Sequence, residues 1–153
     1  MKGSYMLIIL IERSIRLKPG SLPETKLPPG CYVYVGSAMG LGGFEKRVVR
    51  HLRKIKKVRW HIDYLTILSE AKVRSVFYTP HCSEHHLVSF LSSLGFQKTV
   101  RGFGATDFPR DFSHLLHSNQ GFEKTVSRIR LEMRRRGVAF RLLDEEALRN
   151  LCG

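Results

Sequence analysis

Cysteine is scarce in this sequence and does not pair. Cys31, Cys82 and Cys152 are the three present, and no two of them stand in a CxxC spacing. An odd, sparse set argues against a secreted disulfide framework. Long apolar runs are also lacking. Residues 5–11 (YMLIILI) are apolar but too short to cross a bilayer. Glu12 and Arg13 follow them, where a signal peptide would carry small cleavage-site residues. The expectation is a cytoplasmic protein with no membrane partner, in which this run is a buried strand. Acids are few: 13 Asp and Glu stand against 26 Lys and Arg, a formal charge of +13 in 153 residues. A field of that sign gathers polyanions. Nucleic acid is the first partner to consider, an anionic membrane surface the second, and a merely basic exterior the bland alternative.

Internal repeats and flexible linkers are absent as well. The pattern predicts a strand over 4–11, then turns or an extra hairpin over 12–30, where Pro19, Gly20, Pro23, Pro28, Pro29 and Gly30 break the chain. Residues 31–36 (CYVYVG) read as a second strand with Tyr32 and Tyr34 on one face. A glycine-rich loop, Gly36 to Gly43, leads into a helix over 44–56, whose apolar stripe is Phe44, Val48, Leu52 and Ile55. A short helix over 60–69, a strand over 72–79 and a helix over 83–94 follow, the last with Ser83 as N-cap and Gly95 closing it. A second glycine-rich loop (GFGATDFPRD) precedes a short strand at 113–117. Beyond it come a basic amphipathic helix ended by Gly137, a strand over 138–143 and a final helix capped by Asp144. The division expected is 1–118 as one α/β domain, with 119–153 a basic extension packed on it.

The informative feature is an ordered set. Gly3-Ser4-Tyr5 opens the first strand and Tyr34-Val35-Gly36 ends the second; Arg47 and His51 sit one turn apart in the next helix, and Glu84 begins a later one. With YVGSA, KRVVRHL, WHIDYL and GFGATD in that order, residues 3–117 resemble the GIY-YIG nuclease superfamily. They are most similar to its compact branch related to Uri-type endonucleases, some of whose members are fused to endonuclease III. Three departures stand out: Ser4 replaces the Ile of GIY, a long insertion separates Tyr5 from Tyr34, and Phe108 stands where the branch carries Cys.

The resemblance implies a small, mainly antiparallel three-stranded sheet flanked by helices, and a metal-dependent endonuclease that hydrolyses DNA phosphodiesters. It implies Mg²⁺ or Mn²⁺ as cofactor and association with DNA-repair enzymes. It places Tyr5 and Tyr34 at the reacting water. A phenol serves as a base at neutral pH only if a cation lowers its pKa; otherwise the two are sheet tyrosines. Arg47 lies beside the stripe of its helix and suits a bidentate phosphate clamp; the bland alternative is a solvated Arg. His51 lies nearer the stripe and would protonate the leaving oxygen or orient phosphate, or else be a core histidine. Glu84 falls three and four residues before Leu87 and Val88, which turns a carboxylate toward the apolar face. A hard cation is one partner for it, and the helix dipole is another. The neighbouring His and Cys residues of 81–86 lack a second ligand pair at a zinc spacing. Lys46, Arg50, Arg53, Lys54, Arg134, Arg135 and Arg136 are the expected backbone-binding cations. Gly36, His61, Asp63 and Asp107 are accessory candidates. The competing class is a binding module, for DNA or RNA, that keeps the fold without catalysis.

Overall fold

The computed structural model describes residues 3–38, 43–106 and 108–153. Asp107 and the middle of the first glycine-rich loop lie outside them. The apolar run forms strand β1 (Ser4–Ile11) and CYVYVG forms β4 (Gly30–Ser37), paired antiparallel with Tyr5 opposite Gly36. On its other side β1 pairs with β5 (Ala71–Thr79), again antiparallel, with Tyr5 opposite Tyr78. Short strands extend both edges: β7 (Leu115–Ser118) and β6 (Gln97–Lys98) beyond β4, and β8 (Arg141–Leu143) beyond β5. The sheet therefore has six strands, not the expected three, in the order β6-β7-β4-β1-β5-β8. Two of the added strands, β7 and β8, fall within or beside the short strands expected at 113–117 and 138–143 and join the sheet as edge strands, while β6, two residues long, is too short for period-two alternation to mark it. The inserted segment is the separate hairpin β2 (Ile15–Leu17) and β3 (Thr25–Leu27).

Alternation along β1 and β4 sorts the core into two faces. Tyr5, Leu7 and Ile9, with Tyr32 and Tyr34, face α1 (Gly43–Leu52), α2 (His61–Thr66) and α5 (Glu145–Cys152). Met6 and Ile8, with Val33 and Val35, face α3 (Glu84–Ser93) and α4 (Phe122–Arg135). The hairpin joins the first face through Ile15, Leu17 and Leu27.

Side chains decide where the helices start and stop. Helix α1 ends at Leu52, short of the expected 56, because Lys56 Nζ folds back onto the carbonyls of Arg50 (2.9 Å) and His51 (3.2 Å). Those are orphan acceptors of the last turn, and an ammonium satisfies them. Lys54 Nζ does the same for Thr66, Leu68 and Ala71 after α2, at 2.6–2.8 Å. At the start of α2 the buried Asp63 accepts the backbone N–H groups of Arg59 (2.8 Å) and Trp60 (3.0 Å). Ser83 caps α3 by accepting the N–H of His86 at 3.1 Å. Among the described residues, no helix is long and apolar enough to cross a membrane.

Candidate active site

Antiparallel pairing brings the start of β1, the end of β4 and the end of β5 to one end of the sheet. A pocket of about 200 Å³ opens there, lined by Tyr5, Tyr34, Arg47, Trp60, His61 and Glu84 among others. Tyr5 and Tyr34 reach it from adjacent strands. Tyr5 lies across Gly36, where an added Cβ would stand 2.5 Å from the Tyr5 ring, so this position accepts no side chain while the phenol stays in place. Gly104 plays the same part for Tyr34: its φ is +65°, and a Cβ there would meet the Tyr34 ring at 2.9 Å. Arg47 enters from α1, with its guanidinium 4.8 Å from the Trp60 ring centroid, a stacking that fixes the fork. Glu84 arrives from α3, whose body lies on the opposite face of the sheet. Ser4 steadies that approach, since its hydroxyl donates to the carbonyl of Cys82 at 2.7 Å. An Ile in place of Ser4 would offer no such bond.

His51 stands behind Tyr5. Its Nε2 lies 2.7 Å from the Tyr5 hydroxyl, the ring is 1% exposed, and it does not line the pocket. It meets that space only through Tyr5, so its position suits a partner of the phenol and not a donor to a leaving oxygen. Its Nδ1 has no hydrogen-bond partner. An orphaned N–H is the costlier of the two orphans, which favours the tautomer with the proton on Nε2 donating to Tyr5. Tyr5 Oη then carries His51 on one side and the Arg47 charge nearby. Burial still dominates: it raises the Tyr5 phenol well above its ordinary value, with Arg47 pulling the other way. Tyr34 is raised likewise by burial and by its neighbours Tyr5 and Glu84.

Burial, helped by the positive charge of Lys56, depresses His51 to about 3 from an ordinary 6.5. The unfolded chain thus binds a proton on His51 where the folded chain does not. This contribution is complete above pH 6.5 and is lost as pH falls toward 3, at about 1.4 kcal/mol per pH unit. Denaturant unfolding of the wild type and of His51→Gln, compared between roughly pH 7 and 4, should give a shallower fall for the variant by about that slope. Equal slopes would contradict a buried neutral His51.

Other residues divide between site and scaffold. His61 lines the pocket and its Nδ1 accepts the N–H of Gly104 at 2.9 Å, which puts its proton on Nε2. The inserted hairpin supports both groups: Gly20 packs beside the His61 ring, and Leu22 beside Gly102. Asp63 is scaffold. It receives Arg50 through two bonds of 2.6 and 2.7 Å in addition to its two backbone donors. Burial opposes its charge, but these bonds outweigh it and hold the carboxyl below its ordinary value.

Of the expected backbone-binding cations, Arg50 and Lys54 are thus engaged by the protein's own acceptors, while Lys46 and Arg53 are exposed and carry no side-chain partner among the described residues. The arginines that end α4 belong to the far face of the sheet, away from the pocket. Arg135 pairs with Glu132 at 2.6 Å, Arg136 donates to Ser93 Oγ at 3.1 Å, and Arg134 lies over Phe140.

Two residues absent from the sequence reading belong beside Glu84. His114, fully buried, has Nδ1 3.4 Å from Glu84 Oε1 and Nε2 2.9 Å from Asp111 Oδ2. Asp111 Oδ1 in turn meets His85 Nδ1 at 2.7 Å. Burial works against a charge on His114, but Glu84 and Asp111 more than offset it and raise the imidazole above its ordinary value. The signal was the spacing Asp111-x-x-His114 after the second glycine-rich loop. Only the fold, which brings His114 to Glu84, makes it legible. Among the described residues, no group of three or more His, Cys, Asp or Glu is placed to hold a metal ion. Glu84 offers one carboxylate to the pocket, with 14% of its side chain exposed.

A family model matches residues 4–135, nearly the whole of this arrangement. The chain belongs to the DUF123 family. Its description is a domain of unknown function, and the match runs from β1 to the last turn of α4. All the DUF123 residues that build the pocket lie within it. No curated protein and no solved structure matches the chain.

Proposed function

We propose that this DUF123 chain is a metal-dependent endonuclease of the GIY-YIG type, hydrolysing phosphodiester bonds of DNA. What carries the reading is that Tyr5, Tyr34, Arg47 and Glu84, separated by up to 79 positions in sequence, line one pocket. In the reading, Arg47 holds the non-bridging oxygens of the scissile phosphate with a fork already fixed on Trp60. Tyr5 is the group nearest to a base, since His51 and Arg47 both favour its ionised oxygen. Tyr34 packs beside it and orients the water. His51 keeps Tyr5 in register. The donor set fits Mg²⁺ or Mn²⁺: a single hard carboxylate, Glu84, needs only water and phosphate oxygens to complete such a site. When bound, such an ion supplies positive charge to the phosphate and lowers the pKa of water. His114 stands 3.4 Å behind the Glu84 carboxylate, and Asp111 holds the His114 ring in that place.

Arg47→Ala tests the clamp. Cleavage is expected to slow by about 10²–10³, as when one preorganised donor to a developing charge is removed. Binding should weaken only modestly, since affinity is spread over many cations. Single-turnover cleavage and filter binding measure the two. Unchanged cleavage would remove Arg47 from the mechanism. The second reading is a silent nucleic-acid-binding module, DNA or RNA. One observation favours it: burial raises both phenols, so neither tyrosine is a ready base in the resting pocket.

A further inference from the structure

A second, larger concavity adjoins the candidate site. It measures about 680 Å³, and Arg59 lines both it and the pocket, so the two lie on either side of one cationic side chain. Lys46, Arg53, Lys57 and Arg59 border it with exposed side chains, and none has a side-chain partner among the described residues. Glu45 is its one acid among the described residues, and Arg141 faces that carboxylate at 3.7 Å. The groove is therefore a patch of positive charge, unneutralised among the described residues, beside the site.

In this groove stands Ile55, 93% exposed. An isolated exposed apolar residue needs no explanation on its own, but this one is held out. The residues on either side of it are the two anchored lysines. Lys54 is fixed to three carbonyls beyond α2, and Lys56 to two carbonyls at the end of α1 and to the Thr66 hydroxyl. The loop between α1 and α2 is thus pinned at both shoulders, and the apolar tip cannot turn inward without breaking six bonds to lysine. Apolar side chains flanked by cations are the tools with which proteins part stacked bases.

We propose that this groove binds duplex DNA beside the cleavage site, and that Ile55 inserts between base pairs there. The proposal rests on the nucleic-acid reading of the adjoining pocket. It assigns the substrate class as a duplex that is, or is readily made, unstacked near the scissile bond. Flexible pyrimidine–purine steps, bulges and junctions deform at least cost and should be preferred. The four unpartnered cations supply backbone affinity and Ile55 supplies the choice of structure.

The test uses the whole chain, with EDTA present so that nothing is cleaved. Duplexes carry 2-aminopurine at each position in turn, because its fluorescence rises when stacking is lost. The wild type should raise fluorescence severalfold at one step. Ile55→Ser, a surface change whose folding circular dichroism confirms, should abolish that rise while leaving affinity within about threefold, since phosphate contacts dominate it. Lys46, Arg53 and Lys57 changed together to Ala should reduce the log–log salt slope by about 3. A rise that persists in Ile55→Ser, bound DNA with no rise at any position, or a wild-type dimer that Ile55→Ser dissolves would each overturn the proposal. The last would assign the tip to a second copy of the chain. Cleavage is not read here. A rise without nuclease activity would fail the enzyme reading alone, and activity without a rise would fail this one alone.

Discussion

Glu84→Gln is expected to abolish metal-dependent cleavage and to leave nucleic-acid binding nearly intact. The substitution keeps the shape of the side chain and removes its charge. Affinity comes from many phosphate contacts, to which Glu84 contributes nothing attractive. Its proposed contribution is to the ion, whose effect falls on the transition state and not on the bound ground state. Removing a negative charge from the pocket should, if anything, tighten binding slightly. His114 is the residue left without its carboxylate partner, and Asp111 remains to hold it. Cleavage rates at saturating protein, with binding measured in parallel, separate the two effects. Cleavage retained by Glu84→Gln would remove it as the essential ligand.

The second large effect is on stability. Asp63→Ala should destabilise the protein by about 3 kcal/mol, the lower end of what breaking a buried ion pair costs. Asp63 is fully buried, while Arg50 keeps 21% of its side chain exposed and recovers part of its solvation. The change also orphans the N–H groups of Arg59 and Trp60 at the start of α2. Trp60 is the platform for Arg47, so the pocket should loosen with the helix. Urea unfolding measures the loss. A variant of normal stability that has lost cleavage would place Asp63 in the chemistry instead.

How much of this was legible depended on the kind of signal. The apolar run of β1, the alternation in CYVYVG and the stripe Phe44–Val48 are strong periodic patterns, and the structure follows them. Strands are legible near β7 and β8, but not their places at the sheet's edges, which are set by pairing with β4 and β5; β6, at two residues, carries no period at all. The sequence pattern overextends α1 because Ile55 sits in phase with the apolar stripe. The helix instead stops at Leu52, where Lys56 caps it from beyond, and a side chain's reach across a turn is not a periodicity.

The site shows the same division. Tyr5, Tyr34, Arg47 and Glu84 follow from residue types and their order, and one pocket receives them all. His51 and Asp63 were placed on the correct helices, yet only the fold shows that one backs Tyr5 and the other braces Arg50. Arg50 and Lys54 read as surface cations because a sequence shows charge but not the carboxylate or carbonyls that meet it. Asp111 and His114 are not legible because the carboxylate that His114 meets, Glu84, is remote in sequence and reaches it around the end of the sheet.

Cleavage by the unmodified protein tests the central claim most directly. Branched, single-stranded and duplex DNA should each be incubated with Mg²⁺ or Mn²⁺, and in parallel with EDTA. The account predicts new strand ends on at least one form with either ion, and none with EDTA. Firm, salt-sensitive binding to those substrates with no cleavage under any metal condition would contradict it, and would make the chain a binding module that keeps the pocket without the chemistry.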